Sequence, residues 1–252
     1  MASTSGPVRD PSCIIPSVCH AVPGQWEMEG HTQASGVILQ RFRDEFGSAE
    51  AAVARGLRTD AYSLLAEQAA QGRAAGGGLI FLPTLNGTTA PINYAFSSGT
   101  LLGLRLSHNR SDILRAMLEG MCLENRWILD HMETSGADIE TVHIAGGGSR
   151  SPFWNQLHAD ILQRPIVRVG TSNAAAVGAG ICAGIGVGVF RDAAAGVDAL
   201  CSLAETYTPD VRMADLYDQA FELYKTSYKA LMESDVFLGL HEFSKQLSES
   251  AI

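Results

Sequence analysis

The chain has 252 residues, of which 46% are hydrophobic and 18% charged, and its formal net charge is −9. This length can bury a sizeable core as one large domain or two small ones, and the composition is that of a globular protein. The acidic balance argues against broad binding to nucleic acid or to an anionic membrane, so an anionic ligand would need local donors.

The five cysteines are odd in number and show no metal-site spacing. They predict reduced thiols in a cytoplasmic protein, with Cys122 and Cys182 as core residues. Residues 1–10 contain no apolar run and predict no signal peptide. Residues 174–190 are uncharged but shorter than the ~20 residues of a membrane-spanning helix, so we expect a buried helix packed closely against its neighbours.

The first part of the chain mixes turn-rich and helical patterns. Residues 1–24 contain four prolines and are expected to be irregular. Apolar residues at helical spacing follow at residues 30–45 and again at residues 48–71. Residues 79–83 predict a short apolar strand that ends at proline, and residues 84–98 predict a loop.

The second part alternates strands with helices, which predicts an α/β layer fold. Strands are expected at residues 141–145 and 165–169. Helices are expected at residues 111–132, 151–162, 174–190, 193–203 and 213–232. Tyrosines near the last helix are expected to pack in the core.

A triple-glycine turn is the most informative segment. His143 to Ser151 predicts a strand, the turn Gly146-Gly147-Gly148 and a helix start. Without Cβ atoms, the backbone N–H groups of such a turn can approach a nucleotide closely, and the helix dipole suits a phosphate or ribose edge. The alternative is a tight connection that needs glycine for packing alone.

Several other residues admit two interpretations. Ser151 could cap the helix or hydrogen-bond an adenine, and Arg150 could lie against a purine or be an ordinary exposed arginine. Gly30 reads as the opening of a helix, with Gln33 beside it, or as a plain turn glycine. Glu119 is expected to pair with Arg115 or Arg126 in a structural role.

Six segments in this order and spacing resemble the C-terminal domain of the FGGY family of carbohydrate kinases, in particular its xylulokinase-like members. Each segment alone is weak, and their order gives the signal. The segments are residues 19–26 (Cys-His-Ala-Val-Pro-Gly-Gln-Trp), 29–30 (Glu-Gly), 81–87 (Phe-Leu-Pro-Thr-Leu-Asn-Gly), 118–120 (Leu-Glu-Gly), 145–151 (Ala-Gly-Gly-Gly-Ser-Arg-Ser) and 175–179 (Ala-Ala-Val-Gly-Ala).

The resemblance implies an actin-like, ribonuclease-H-like domain, with a mixed sheet flanked by helices, over residues 25–232. An irregular segment, residues 1–24, would precede it, and a C-terminal tail, residues 233–252, would follow. The implied function is the nucleotide-binding half of an ATP-dependent kinase for a pentulose or polyol type of carbohydrate, with ATP and Mg²⁺ as cofactors.

The resemblance also implies the site residues. The nucleotide would contact Gly30, Gln33, the three glycines of the turn, Arg150 and Ser151. The family's catalytic aspartate lies in its N-terminal domain, so no residue of this chain is assigned a catalytic role. The chain alone is expected to be inactive, and the sugar would bind through the N-terminal domain.

Departures from the family pattern leave the sugar unassigned. They are residues 3–6, 87–92 and 97–99, together with Asn173, which stands where the family has glutamate. An exposed interdomain face also predicts self-association into a homodimer. Two alternatives stay open: a non-catalytic nucleotide-binding or interaction module derived from a sugar kinase, and an actin-like or chaperone-like ATPase that shares the fold.

Overall fold

The structure, a computed structural model, describes residues 1–171 and 173–250. Strands in these ranges are β1 Ala2–Thr4, β2 Ser17–Cys19, β3 Trp26–Met28, β4 Ile80–Leu82, β5 Thr100–Leu102, β6 Val142–Ile144, β7 Ile166–Val169 and β8 Leu203–Tyr207. Helices are α1 Gly36–Phe46, α2 Ser48–Leu57, α3 Ala61–Ala70, α4 Arg110–Thr134, α5 Pro152–Leu162, α6 Ala174–Gly186, α7 Ala193–Leu200, α8 Ala214–Glu233 and α9 Val236–Ser250.

The chain divides into two compact units, each assembled from two separate stretches. The first unit comprises residues 1–29 and 129–211, and the second comprises residues 30–128 and the chain from residue 212 onward. Helix α4 contributes residues to both, since the boundary falls after Ile128. This division could not be predicted from sequence, because none of its three boundaries coincides with a linker-like composition.

The first unit contains a mixed sheet with helices against it. Strands β6 and β7 are parallel, and β8 joins β7 antiparallel. Helix α5 covers this sheet with a small core of Ala159, Leu162 and Ile166, each of which is buried. The expected strands at residues 141–145 and 165–169 are confirmed, and so is the helix that ends at Leu162.

Residues 1–24 are more ordered than their prolines suggested. Strands β1 and β2 lie in this segment and pair antiparallel with β3, so that Ala2 and Ser17 both face Met28. This corrects the expectation of an irregular segment. Strands of three residues carry too little alternation to be recognised, and here the pairing with β3 creates them.

Asp10 organises the loop between β1 and β2. Its carboxylate accepts hydrogen bonds from the backbone N–H groups of Ser12, Ile14 and Ile15, at 2.8 to 3.0 Å, and lies 3.1 Å from His131 Nε2. Burial acts to raise the pKa of Asp10, but these hydrogen bonds outweigh it and hold the pKa well below its usual range.

The second unit has its core between α4, α8 and the hairpin of β4 and β5. Buried residues of α8 recur at Tyr217, Phe221, Tyr224 and Tyr228, which is the spacing of one helix face. The predicted core role of the helix tyrosines is thereby confirmed. The segment 233–252, expected only as a tail, contains α9, whose Phe237 is fully buried.

Close packing explains the glycine of the Leu-Glu-Gly segment. A Cβ on Gly120 would lie 2.3 Å from the carbonyl oxygen of Phe81, which belongs to β4. Only glycine therefore lets α4 approach this strand. The neighbouring Glu119 is paired with Arg115 at 2.8 Å and accepts a second hydrogen bond from the Tyr217 hydroxyl, so its expected structural role is confirmed.

Helix α6 differs from its prediction in burial. Only Ile181 and Gly184 of this helix are buried, and Cys182 is exposed, whereas Cys122 is buried as expected. The predicted buried helix and the core position of Cys182 are therefore wrong. A helix that is apolar on all sides gives no sequence signal for which side is covered.

Candidate functional site

The candidate site is the turn between β6 and α5. Gly146 has φ of +94°, a left-handed conformation that favours glycine, and Gly147 follows with φ −61° and ψ −41°. A short 3-10 turn, Gly148–Arg150, then leads to Ser151 and helix α5. The backbone φ thus changes from positive at Gly146 to negative at Gly147, which is the geometry of an anion-binding nest.

Three backbone donors of this turn are unengaged. Among the described residues, no hydrogen bond has the amide N–H of Gly146, Gly147 or Gly148 as its donor. An amide N–H is a strong donor that is normally satisfied by protein, water or ligand. The turn therefore offers consecutive N–H groups to an acceptor such as a phosphate or a ribose hydroxyl.

Side chains behind the turn hold its shape. The Ser149 hydroxyl donates to the Gly146 carbonyl at 2.8 Å, and the fully buried Asn155 donates from Nδ2 to the Ser149 carbonyl at 2.8 Å. Ser151 Oγ accepts from the Trp154 N–H at 3.2 Å and so caps α5, as one of its two interpretations predicted. The turn is thus fixed without using the N–H groups of its three glycines.

The three glycine positions differ in what the structure requires of them. A Cβ on Gly148 would lie 2.6 Å from the Trp154 ring, so this position needs glycine for packing. Gly146 has a positive φ, and a Cβ on Gly147 would meet nothing within 4 Å. The packing alternative therefore explains Gly148 alone, and the backbone of Gly147 is left open to an approaching ligand.

Electrostatics at the turn come from the backbone and from one side chain. Arg150 is exposed on the 3-10 turn. His158, one helical turn beyond Trp154, is buried, which lowers its pKa, and its Nδ1 lies 2.9 Å from the Trp154 carbonyl. Within residues 1–171 and 173–250, no cluster of three or more His, Cys, Asp or Glu side chains could hold a metal ion.

The predicted site residues fall in both units. Gly146, Gly147, Gly148, Arg150 and Ser151 form the turn of the first unit. Gly30 and Gln33 belong to the second unit and precede α1, which begins only at Gly36, so the interpretation of Gly30 as a helix opening is wrong. Ser35 occupies the N-cap position of α1 without a side-chain hydrogen bond, so no capping signal marked the start of the helix.

Sequence reasoning missed the residues that support the turn. Ser149, Trp154 and Asn155 shape it, although none was a candidate. Asn155 was detectable in principle, because an amide side chain at a buried helix position needs a specific partner. Trp154 could not be recognised in this way, because a tryptophan in an apolar helix is most simply interpreted as a core residue.

The fold defines the class of protein. A xylulose kinase structure from Rhodospirillum rubrum is similar with a TM-score of 0.78 and 31% identity, over 92% of this chain and 44% of that one. A Plasmodium falciparum glycerol kinase structure with ADP is similar in fold, with a TM-score of 0.65 and 19% identity, over 82% of this chain and 39% of that one. The fold is thus the actin-like ATPase fold of sugar kinases.

The sequence places the chain within that class. A family model described as "FGGY family of carbohydrate kinases, C-terminal domain" matches residues 1–187. The chain belongs to the FGGY family of carbohydrate kinases, which confirms the resemblance seen in its six segments.

Individual relatives agree with this assignment. A xylulose kinase of Staphylococcus epidermidis is 29% identical over 210 residues, which are 83% of this chain and 40% of that protein. An autoinducer-2 kinase of Klebsiella pneumoniae is 28% identical over 223 residues, or 87% of this chain and 42% of that protein. The chain therefore spans less than half the length of these relatives. No helix among its described residues is long and apolar enough to cross a membrane.

Proposed function

We propose that the chain is the nucleotide-binding half of an ATP-dependent carbohydrate kinase. Joined to an N-terminal kinase domain, it would transfer the γ-phosphate of ATP to a hydroxyl of a sugar of the pentulose or polyol type. The observation that carries the proposal is the turn with three unengaged N–H groups, Gly146 to Gly148. Membership of a carbohydrate kinase family supports it.

The turn would bind the nucleotide without doing covalent chemistry. Phosphoryl transfer depends on positioning and on donors that stabilise spread negative charge. The N–H groups of Gly146 to Gly148 would donate to the nucleotide, and Arg150 would lie against the purine, with Ser151 at the helix start. Gly30 and Gln33 remain predictions from the resemblance alone.

Magnesium would enter with the nucleotide. Mg²⁺ in kinases is held largely by phosphate oxygens and water, with one or two carboxylates. The described residues contain no carboxylate cluster for a metal, so we assign no magnesium ligand in this chain. The general base and most sugar contacts would likewise come from the N-terminal domain, which makes the chain inactive by itself.

The exposed surface of α6 supports a partner domain. This helix has thirteen residues and no charged side chain, yet only Ile181 and Gly184 are buried. Uncharged apolar surface of this kind is typical of an interface. We propose that an N-terminal kinase domain covers it, and that in the absence of that domain the chain self-associates, which sedimentation at increasing concentration would detect.

Calorimetric titration with Mg-ADP tests the nucleotide site. Wild type should bind weakly, and Gly147→Val should lose at least about tenfold in affinity, since the added side chain enters open space beside the free N–H groups. Gly56→Val is the matched control, because Gly56 is exposed on α2 and its Cβ would also meet nothing within 4 Å.

Two results would count against the proposal. Unchanged affinity in folded Gly147→Val would remove the turn from the nucleotide site. Failure of folded wild type to bind, both alone and after mixing with an N-terminal kinase domain, would leave the alternative of an interaction module without nucleotide chemistry.

A further inference from the structure

Helix α9 leaves most of its surface uncovered. Its first turn is anchored, because Phe237 is fully buried and its ring centroid lies 5.6 Å from that of Tyr228. Farther along, the His241 ring lies 5.1 Å from that of Phe96, yet every residue of the stretch 239–250 is exposed. An isolated helix of about twelve residues is marginal in water and gains its stability from a packed apolar face. The exposed part of α9 is therefore expected to have a covering surface.

One face of this helix is apolar along its length. Val236, Leu240, Phe243 and Leu247 are each 41% to 59% exposed. Their spacings of four, three and four residues place them within about 60° of the helix circumference. The same spacing separates the a and d positions of a coiled coil, in which two helices pack side by side. These four residues are called the α9 seam.

The α9 seam is complementary to a second copy of itself. In two antiparallel copies related by a two-fold axis midway between residues 241 and 242, Leu240 lies opposite Phe243. The same axis places Val236 opposite Leu247, so no residue of the seam is left unopposed. A closed pair of this symmetry is the commonest arrangement in protein oligomers, and it requires a patch that matches itself.

Charged side chains are kept away from the α9 seam. The residues that flank it, Gly239, Ser244 and Gln246, are uncharged. An identical partner repeats every charge of the first copy, so charged flanks of one sign would repel each other, and neutral flanks avoid this. The charged residues of the exposed stretch lie on the opposite side of the helix, and they are Glu242, Lys245 and Glu249.

We propose that two copies of this chain pair through the α9 seam, with the two helices antiparallel. The FGGY family model ends at residue 187, so α9 lies outside the segment that defines the family's C-terminal domain. The seam is about 17 Å long, at 1.5 Å per residue. A single helix pair of that length makes a small interface, below about 1,200 Å², so we expect a weak dimer with a dissociation constant on the order of 10 µM. The inference does not rest on nucleotide binding or on the surface of α6.

Sedimentation equilibrium of the chain, from about 1 to 200 µM, tests the interface. Wild type should show a reversible monomer–dimer equilibrium. Leu240→Glu and Phe243→Glu should each weaken the dimer at least about tenfold, because the seam would then bury an unpaired charge. Ser248→Glu is the matched control, since it adds the same charge at an exposed position of α9 outside the seam, and it should leave the dimer unchanged.

A separate variant distinguishes α9 from α6. Ile185→Glu places a charge on the exposed surface of α6 and should leave the α9 dimer in place. If Ile185→Glu abolishes self-association while both seam variants associate as wild type does, the contact belongs to α6 and the proposal is wrong. A wild-type chain that stays monomeric up to about 200 µM would overturn it as well.

Ionic strength gives a second readout. Each copy carries a formal net charge of −9, so two copies repel each other, whereas the seam itself is uncharged. Raising NaCl from about 50 to 500 mM should therefore strengthen the dimer by screening that repulsion. A dimer that weakens over the same range would depend on ion pairs, which contradicts an apolar seam.

Cysteine cross-linking tests the orientation of the helices. The background is a chain whose exposed or partly exposed cysteines are replaced by serine, namely Cys13, Cys19, Cys182 and Cys201. Chains with Leu240→Cys mixed with chains with Phe243→Cys should form a disulfide-linked dimer on mild oxidation, because these positions face each other. Each variant alone should cross-link much less. Equal cross-linking of either variant alone would indicate parallel helices and refute the arrangement.

Discussion

Neighbouring glycines of the candidate turn should respond oppositely to the same substitution. Gly148→Ala places a Cβ 2.6 Å from Cζ3 and 3.0 Å from Cε3 of Trp154, a buried ring that cannot move freely. Overpacking of this kind costs about 1–3 kcal/mol. Gly147→Ala meets no atom and keeps a φ of −61°, so it should be neutral or stabilise by about 0.4–1 kcal/mol through the unfolded state.

Thermal unfolding measures the difference directly. For a chain of this size, 1 kcal/mol corresponds to about 2–4 °C in the melting temperature. Gly148→Ala should therefore melt roughly 2–12 °C below wild type, and Gly147→Ala at or slightly above it. Nucleotide binding provides the second readout, because Gly147→Ala is expected to weaken it while the fold stays intact.

Two melting results would refute these roles of Gly147 and Gly148. If Gly148→Ala melts at the wild-type temperature, Trp154 does not fix this turn. If Gly147→Ala destabilises as much as Gly148→Ala, the open space beside Gly147 does not exist in solution, and the turn loses the accessibility on which the nucleotide site depends.

Buried carboxyl groups give three further predictions. Glu119→Gln should destabilise the chain by about 3–5 kcal/mol, because it leaves Arg115 buried without its counter-charge, and denaturant unfolding would measure this. Asp10→Asn should lose roughly 1–2 kcal/mol at pH 7. Because the folded pKa of Asp10 is lowered, that difference should begin to shrink as pH falls below about 4 and disappear only as pH falls through the lowered pKa, and a constant difference would contradict the assignment. Burial raises the folded pKa of Glu124 to about 8, so stability should fall as pH rises from about 4.5 to 8; Glu124→Gln should flatten that slope, and parallel curves would refute it.

Long elements with a clear period were predictable from sequence. The helix predicted at residues 111–132 is observed at Arg110–Thr134, and the one predicted at 213–232 is observed at Ala214–Glu233. Both helices have apolar residues on one face, so the spacing of these residues indicates which side of the helix is buried. The triple-glycine turn was predictable for a similar reason, because glycine and a capping serine mark a strand-to-helix connection locally.

Elements that depend on distant partners were not predictable. Strand β8, Leu203–Tyr207, begins where a helix was expected to end, and most of its residues are exposed. Strand β8 forms because it pairs with β7. Five residues of mixed polarity contain no pattern from which that pairing could be predicted. The role of Asn155 in supporting the turn could not be predicted either, because a single hydrogen bond to the Ser149 carbonyl produces no repeating pattern in the sequence.

The packing of Trp154 under Gly148 also gives the protein an optical reporter. The chain has three tryptophans, and Trp154 is the one whose ring lies against the glycine turn, whereas Trp127 lies on α4. Indole emission responds to changes in its immediate surroundings, so a ligand at the turn should alter the emission of Trp154. Replacing Trp127 by phenylalanine would simplify the emission, and ligand binding at the turn could then be followed in solution without a label.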